Sequence, residues 1–300
     1  MTITSSGANA YTAYIAETTF GTTPATPTLI GIPLNVFNIN LTKENTKDSS
    51  IQIDGQSRYT SFGNQTVTGD FEDSLTTLHD PFLQAAMRST YATGILKMGN
   101  TETSFSWEQG FPSTSLYRVF TGIEIDKLAI TVPVAGDVTA KYSVMGKAMT
   151  MSSTTIDPGG ITVPAVIKPM KHNGGSVTEG GSTIANITTI NLNIDNSMTT
   201  NYTLGNSSIT SISAGPRKVS GTFTALFTDS ALMTKFINGT QTSFGFTVSN
   251  GTNSYTFLAS NVSYTAATVN VTPAATIPVQ VAFECDYDPT SASSLVITKA

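Results

Sequence analysis

A short motif occurs twice in this chain, at positions about half the chain length apart. Residues 67–71 read Val-Thr-Gly-Asp-Phe, and residues 219–223 read Val-Ser-Gly-Thr-Phe. If the second motif arises by chance, the chain is one large β-rich protein of ordinary organisation. If it marks a duplication, the chain is restricted to folds that can be built from two copies of one unit.

Four further pairs of segments match in the same order along the two halves of the chain. The pairs are residues 37–41 with 190–194 (FNINL and INLNI), a helix start at Asp80 with one at Asp229, residues 103–107 with 242–246 (TSFSW and TSFGF), and residues 138–144 with 277–283. Each copy is one domain long, well above the roughly 20–50 residues of a solenoid repeat. We therefore interpret the chain as two tandem copies of one domain.

The duplication divides the chain into three parts. Residues 1–155 are predicted to hold an N-terminal arm and the first copy, and residues 186–300 the second copy and a C-terminal tail. Residues 156–185 concentrate Gly, Pro and Ser, a composition typical of loops, and are interpreted as a linker.

Alternation of apolar and polar residues predicts a mainly β fold with a minor helical part. Phe37, Ile39 and Leu41 fall on one face of a strand, and the intervening Asn residues fall on the other. Each copy also carries one short helix. In the first copy it is predicted over about residues 81–88, with Asp80 as its N-cap and Pro at the first helical position.

The composition disfavours several classes of function. Only 12% of residues are charged, the net charge is −5, and no Lys/Arg cluster stands out, so specific binding of nucleic acid is not expected. Cys285 is the single cysteine, which excludes a disulfide framework and a Cys-rich metal site. The chain shows no phosphate-binding loop and no His-Glu-x-x-His motif. We expect no catalytic residues, no metal and no cofactor, and hence no enzyme.

The few residues that could carry chemistry have simpler interpretations. His79 is expected to contact the start of the helix, and His172 lies in the Gly-rich linker. Asp70 and Glu72 could in principle form a glycosidase pair or a Ca²⁺ site, but a solvated polar strand face explains them as well. Trp107 is expected to be a packing residue, because the second copy has Phe at the matching position of TSFGF.

Taken together, several segments resemble the tail tube protein of long-tailed bacteriophages. They are AETTFGT at residues 16–22, IDGQSRYTSFG at residues 53–63, the VTGDF strand, and the Asp-capped helix followed by strands. The resemblance covers about residues 14–290. It implies two tandem domains, each a β-sandwich or partial barrel with one flanking helix. It also implies subunits that form stacked rings around a DNA channel.

The resemblance further implies partners and a location. The main partner is the chain itself, and because each chain holds two copies, a trimeric pseudo-hexameric ring is favoured over a hexamer. A tape-measure protein inside the tube and a tail-terminator protein at its end are implied as well. The protein would be assembled in the host bacterial cytoplasm and reside in the virion tail, and we favour a non-contractile, flexible tail of the siphovirus type.

Double-stranded DNA that slides through a tube must not bind its wall, so the lumen should be neutral to acidic. Residues that meet this condition lie on predicted polar strand faces, whereas Lys218 in the second copy does not meet it. The lumen candidates are Asn38, Asn40, Asp70, Glu72, Asn191 and Asn193. Plain solvent exposure or a surface facing a neighbouring subunit is the alternative for the Asn residues.

The stretch 43–63 is long, polar and unusually rich in charge, and it forms either a hairpin excursion or a loop. Charges of alternating sign suggest salt-bridged contact with another subunit or another ring, and a mobile surface loop is the alternative. The contact candidates are Lys43, Glu44, Lys47, Asp48, Asp54, Arg58 and Tyr59.

Two other classes of protein share this composition. A capsid or tail decoration protein would be similar but would not need to form a ring. A bacterial surface adhesin would also be rich in Thr and Asn, but it should carry an export signal. The start of the sequence, MTITSSGANAY, lacks a basic segment followed by an apolar run, so neither a signal peptide nor membrane insertion is expected.

Overall fold

Antiparallel strands make up most of the chain, as the alternating sequence predicts, so the mainly β class is confirmed. The structure is a computed structural model that describes residue 4, residues 6–269, residue 271 and residues 276–300. The described strands are β1 (Tyr11–Ala16), β2 (Ile30–Gly31), β3 (Val36–Phe37), β4 (Asn40–Lys47), β5 (Thr60–Ser74), β6 (Ile95–Lys97), β7 (Phe105–Phe111), β8 (Leu116–Val132), β9 (Thr139–Gly146), β10 (Ala148–Ser152), β11 (Val177–Glu179), β12 (Ser182–Thr183), β13 (Ile187–Asp195), β14 (Thr199–Asn201), β15 (Ser211–Ser213), β16 (Lys218–Leu226), β17 (Thr242–Ser249), β18 (Ser254–Val269), β19 (Pro278–Asp286) and β20 (Val296–Lys299). The described helices are α1 (Asp80–Met87) and α2 (Ala231–Asn238).

One antiparallel sheet runs through both halves of the chain, and we call it the central sheet. Its strands lie in the order β4, β5, β9, β8, β13, β16, β19, β18. The first four strands come from the first half and the last four from the second. The halves meet where β8 pairs with β13, from Lys127 opposite Asp195 to Val132 opposite Ile190. We call this pairing the internal junction.

The two halves of the central sheet repeat each other in detail. β4, β5, β9 and β8 stand in the same order as β13, β16, β19 and β18. The register of β8 against β9 shifts between Ile125 and Lys127, and that of β18 against β19 shifts between Tyr264 and Ala266. The two shifts fall at matching positions of the counterpart strands. A bulge repeated at the same place supports the interpretation that the chain holds two copies of one unit.

The glycine of the repeated motif allows neighbouring strands to approach closely. A Cβ atom on Gly69 would lie 2.1 Å from the carbonyl oxygen of Asn38, and one on Gly221 would lie 2.4 Å from that of Asn191. Both distances are far below van der Waals contact, so only glycine fits at either position. The motif therefore occurs twice because each copy brings its first two central strands together in the same way.

A second layer of strands covers one face of the central sheet. β8 is a single long strand, and its first part leaves the central sheet to pair with β7 and β10. β18 does the same with β17 and β20. Aromatic side chains fill the space between the layers. Trp107 is fully buried, with its ring centroid 5.0 Å from that of Phe71.

The structural counterpart of Trp107 is Phe244, two residues before the residue matched by sequence. Phe244 stacks on Phe223 at 4.9 Å, as Trp107 packs on Phe71, and each lies beside the same register shift of its strand pair. A shift of two residues keeps a side chain on the same face of a strand, so the alternation survives the misalignment.

Residues 156–185, interpreted from sequence as a linker, pack against both halves. Within this segment β11 pairs with β17 of the second half. Before it, the Met170 amide donates to the Leu75 carbonyl (2.8 Å), and the Met170 carbonyl accepts from the Val138 amide (2.9 Å). The buried Asp157 carboxylate accepts from the Leu29 amide at 2.8 Å.

The first helix begins one residue earlier than predicted and is capped differently. α1 starts at Asp80 itself, and the N-cap position is His79, the last residue of a short 3₁₀ turn. His79 Nδ1 accepts from the Thr76 amide at 3.0 Å, and burial lowers the pKa of His79 to about 4. The Asp80 carboxylate instead accepts from the Tyr255 hydroxyl and the Lys299 ammonium of the second half. The Asp80 carboxylate, which the sequence assigns to the helix cap, is therefore used in contacts with the second half.

Candidate assembly surfaces

All six lumen candidates lie on one face of the central sheet. Residues directly opposite each other across a strand pair point to the same face. One such row runs from Asp70 through Ser143, Lys127 and Asp195 to Lys218. Glu72, Asn191 and Asn193 occupy alternate positions of these strands, and Asn40 of β4 lies opposite Thr68. Asn38 lies just before β4, two residues from Asn40, and its amide donates to the Asp70 carbonyl at 2.8 Å. We call the face that these residues share the polar face. The opposite face carries the buried core.

The lysines of the polar face are paired with carboxylates on neighbouring strands. Lys141 lies 3.2 Å from Asp70, and Lys127 lies 2.7 Å from Asp195. Lys218 lies 2.5 Å from Glu284 of β19. Lys218 is therefore paired with a carboxylate, as Lys127 and Lys141 are.

The central sheet has two open edges within the described residues. β4 pairs with β5 on one side, and on its other side the Arg118 guanidinium donates to the Ile39 carbonyl (3.2 Å) and to Asn40 Oδ1 (2.9 Å). The last part of β18, residues 266–269, pairs with β19 on one side and with no described strand on the other. Open edges present unpaired backbone groups that template the addition of another strand.

Each open edge corresponds to one side of the internal junction. β4 is the counterpart of β13, and the last part of β18 is the counterpart of the last part of β8. The strands that meet inside the chain thus have counterparts that are left open at its two ends. β4 of the first copy and the last part of β18 of the second copy are therefore complementary, as β13 and the last part of β8 are inside the chain.

The charged stretch 43–63 forms the end of a hairpin. β4 and β5 continue as a pair beyond the sheet, with Lys47 opposite Thr60. Of the seven contact candidates, Lys43, Glu44 and Lys47 lie on β4, and Asp48, Asp54, Arg58 and Tyr59 lie in the connection, which we call the hairpin tip (residues 48–59).

The charges at the hairpin tip are satisfied within the tip. Arg58 forms an ion pair with Asp54 at 3.0 Å. The hydroxyl and amide of Ser50 donate to the Asp48 carboxylate at 2.6 and 2.9 Å, and these hydrogen bonds lower the pKa of Asp48. The charges therefore shape the tip itself rather than reach outward.

Sequence reasoning missed the apolar residues of the same hairpin. Ile51 and Ile53 are fully exposed, and Tyr59 and Phe62 are largely exposed. Only Tyr59 was among the candidates. Exposed apolar side chains grouped in this way are typical of interaction surfaces. The alternation of Ile51 and Ile53 inside a polar stretch is the signal that could have revealed it.

The corresponding connection of the second copy folds back instead of projecting. In this connection, Met198, Ile209 and Ile212 form a small apolar cluster against Phe20 and Met145 of the first copy. The Tyr202 and Thr66 hydroxyls lie 2.5 Å apart, and the Gln65 side chain donates to Ser208 Oγ at 2.5 Å. The two copies thus use the same connection differently.

Carboxylate side chains line a cavity beside Phe20. This cavity of about 310 Å³ is lined by Glu17, Glu102 and Glu124 together with Phe20 and neighbouring residues. Burial raises the pKa of Glu124 to about 7, although the Arg88 guanidinium 3.7 Å away opposes the shift. Within the described ranges no three His, Cys, Asp or Glu side chains are placed to hold a metal ion.

None of the described helices is long and apolar enough to cross a membrane. A comparison with curated proteins finds no match. A comparison with protein families finds the phage tail tube protein family, whose model matches residues 7–285 and so covers both copies and the segment between them. The chain belongs to the phage tail tube protein family.

Proposed function

We propose that this chain assembles into closed rings that stack to form the tail tube of a phage, the channel through which the genome enters the host. A ring of three chains is favoured, and a ring of six is the second choice. The observation that carries the proposal is that the two open edges of the central sheet are counterparts of the two strands joined at the internal junction.

Repeating the internal junction between chains closes the central sheet on itself. The counterparts of Asp195 and Lys127 are Thr42 and Ala266, so the expected register places Thr42 of one chain opposite Ala266 of the next. This contact is head-to-tail, and a head-to-tail contact that closes by rotation makes a ring. Closure also removes the open edges. A decoration protein or an adhesin would not require complementary edges.

In such a ring the polar face lines the lumen, because the second layer of strands covers the other face. Phosphate binding depends on cationic side chains that are free to replace counterions. The lysines of the polar face are held by carboxylates at 2.5–3.2 Å. DNA would therefore pass a wall of hydroxyl, amide and paired charged groups without being retained.

Phage particles whose tubes carry Asp70→Lys are expected to release DNA more slowly than particles of the parent. The substitution removes the partner of Lys141 and places two cations side by side in every ring. The matched control is Asp137→Lys, which breaks an ion pair with Lys171 outside the central sheet and should leave release unchanged. The rate of DNA release from triggered particles is the measurement. Equal rates for the two variants would remove the polar face from the lumen.

The exposed hairpin suits contact between stacked rings, because its apolar residues have no place to pack within the chain. A tape-measure protein and a tail-terminator protein are the further partners expected for a tail tube, in a non-contractile tail. Assembly would take place in the host bacterial cytoplasm and end in the virion.

Electron microscopy of the concentrated protein tests stacking. We expect hollow tubes from the parent chain and none from a variant that lacks residues 49–58, with the monomer fold intact because the charges of the tip bond only within the tip. Circular dichroism of the deletion variant supplies the control for folding. Tubes of ordinary length from the deletion variant would contradict the role of the hairpin.

A further inference from the structure

Inside the chain, the second copy also contacts the first through the outer layer of strands. β20 pairs with β18 on one side and with β6 of the first copy on the other, where Ile297 lies opposite Leu96. The Tyr255 hydroxyl and Lys299 bind Asp80 at the start of α1. Tyr255 and Ile297 are both 0% exposed as a result. The outer layer of the second copy therefore covers the internal junction next to β6 and the start of α1.

The counterparts of these two buried residues in the first copy are exposed. Met151 lies opposite Arg118 as Ile297 lies opposite Phe257, and the two register shifts of β8 and β18 make Leu116 the counterpart of Tyr255. Leu116 is 43% exposed and Met151 is 56% exposed. We call Leu116 and Met151 the leading patch.

The second helix shows the converse difference. Arg88 after α1 and Gly239 after α2 both adopt the left-handed conformation, and the backbone amide of each donates to the carbonyls three and four residues earlier. This match makes Ile237 the counterpart of Ala86. Ala86 is 0% exposed and its carbonyl accepts from the Asn196 side chain of the second copy, whereas Ile237 is 74% exposed.

The residue that precedes α2 is uncovered in the same way. The Leu75 amide donates to the Val138 carbonyl at 2.7 Å, and the Phe227 amide donates to the Ile277 carbonyl at 3.0 Å, so Leu75 and Phe227 are counterparts. Leu75 is 0% exposed and Phe227 is 44% exposed. We call Phe227 and Ile237 the trailing patch.

We propose that the leading patch of one chain packs against the trailing patch of the next chain, so that each contact between chains has an outer apolar layer in addition to the inner strand pairing. The occupant of each patch is a second copy of this chain, because the counterparts of both patches are buried where the two copies meet inside the chain. Tyr255 binds Asp80, Ile297 lies opposite Leu96, and the Ala86 carbonyl accepts from Asn196. This inference rests on the ring closure proposed above. Leu116 then lies near the start of α2, and Met151 lies near its end.

The outer contact between chains differs from the one within the chain in its backbone. The first copy places β6 between α1 and β7, but only residues 239–241 separate α2 from β17. β10 of one chain therefore finds no counterpart of β6 in the next chain with which to pair. The outer contact between chains depends on side chains alone, and it is the weaker of the two junction types in the ring.

Single charged substitutions in each patch test this contact. Met151→Asp and Ile237→Asp are expected to raise the concentration needed for half-maximal ring formation by roughly tenfold, which corresponds to about 1.4 kcal/mol, the scale of losing a buried interface anchor. Val166→Asp is the matched control, since Val166 is an apolar residue of the 156–185 segment that is fully exposed and belongs to neither patch. Sedimentation velocity of the full chain over a concentration series measures the effect, with the thermal unfolding of the dilute chain as the check on folding.

The double variant Met151→Asp with Ile237→Lys separates a direct contact from an indirect effect. If the patches meet, opposite charges restore ring formation toward the level of the parent. Ring formation by both single variants at the concentration required by Val166→Asp would overturn the outer contact. That result would leave ring closure standing if cysteines placed at Thr42 and Ala266, the expected inner register, still join the chains. If those cysteines fail to join chains that are otherwise of the parent sequence, both the ring closure and the outer contact are overturned.

Discussion

Chains that carry Thr42→Cys together with Ala266→Cys are expected to become covalently joined into closed trimers on mild oxidation. At the internal junction the counterparts of these residues, Asp195 and Lys127, stand directly opposite, and their side chains meet at 2.7 Å. Residues opposite each other in an antiparallel pair have Cα atoms roughly 4.5–5.5 Å apart, which lies within the range that a disulfide spans. The native Cys285 is buried and does not compete.

The product distribution on a non-reducing gel reports ring size as well as register. A series that ends at the trimer indicates a ring of three chains, because a closed ring has no free cysteine pair left to extend. A series that ends at six chains indicates the hexamer, the second choice. Both results support closure of the central sheet between chains.

A pair displaced by one residue provides the control for the crosslink. Thr42→Cys with Ala267→Cys places the two thiols on opposite faces of the sheet, since successive side chains alternate between faces. Chains that carry this pair should remain monomeric on a non-reducing gel. Equal crosslinking by both pairs, or by neither, would show that β4 and β18 do not meet in the expected register.

Replacement of Gly69 by valine is expected to destabilise the fold by roughly 3 kcal/mol or more, the upper part of the range for inserting atoms into a packed core. A Cβ atom at this position would sit 2.1 Å from the Asn38 carbonyl oxygen and 2.7 Å from the Ile39 Cα atom, and both are backbone atoms that cannot rotate away. The same change at Gly221 meets the Asn191 carbonyl oxygen at 2.4 Å. Urea unfolding followed by circular dichroism is the measurement.

Gly7 supplies the matched control for these substitutions. No heavy atom lies within 4 Å of a Cβ placed on Gly7, so Gly7→Val should unfold at the same urea concentration as the parent chain. If Gly69→Val also unfolded at that concentration, the close approach of residues 38–39 to β5 would not be the reason that the motif contains glycine.

Local patterns explain most of what could be predicted before the structure. The alternation around Asn38 and Asn40 assigns side chains to faces whatever strand lies alongside, because the two-residue period belongs to the strand itself. For the same reason a match displaced by two residues, Trp107 with Phe246 instead of Phe244, still led to the right face.

Errors arose where distant residues compete for a local role. Asp80 has the sequence context of an N-cap, but Tyr255 and Lys299 of the second copy bind its carboxylate. Thr76 and His79 cap the 3₁₀ turn that precedes the helix. No pattern near residue 80 contains that information, since the partners lie more than half the chain away in sequence.

The sequence by itself determined that the chain is mainly β, and it predicted a repeated unit and the residues of the polar face, because these properties follow from periodicity and from steric limits on single positions such as Gly69. Only the tertiary structure decided that β8 joins β13, that β4 and the last part of β18 have an open side among the described residues, and that Lys218 pairs with Glu284. It also decided that five residues of α1 are buried, whereas no residue of α2 is. These properties depend on which strands become neighbours, and pairing between strands far apart in sequence is set by the burial of the whole core rather than by any local pattern.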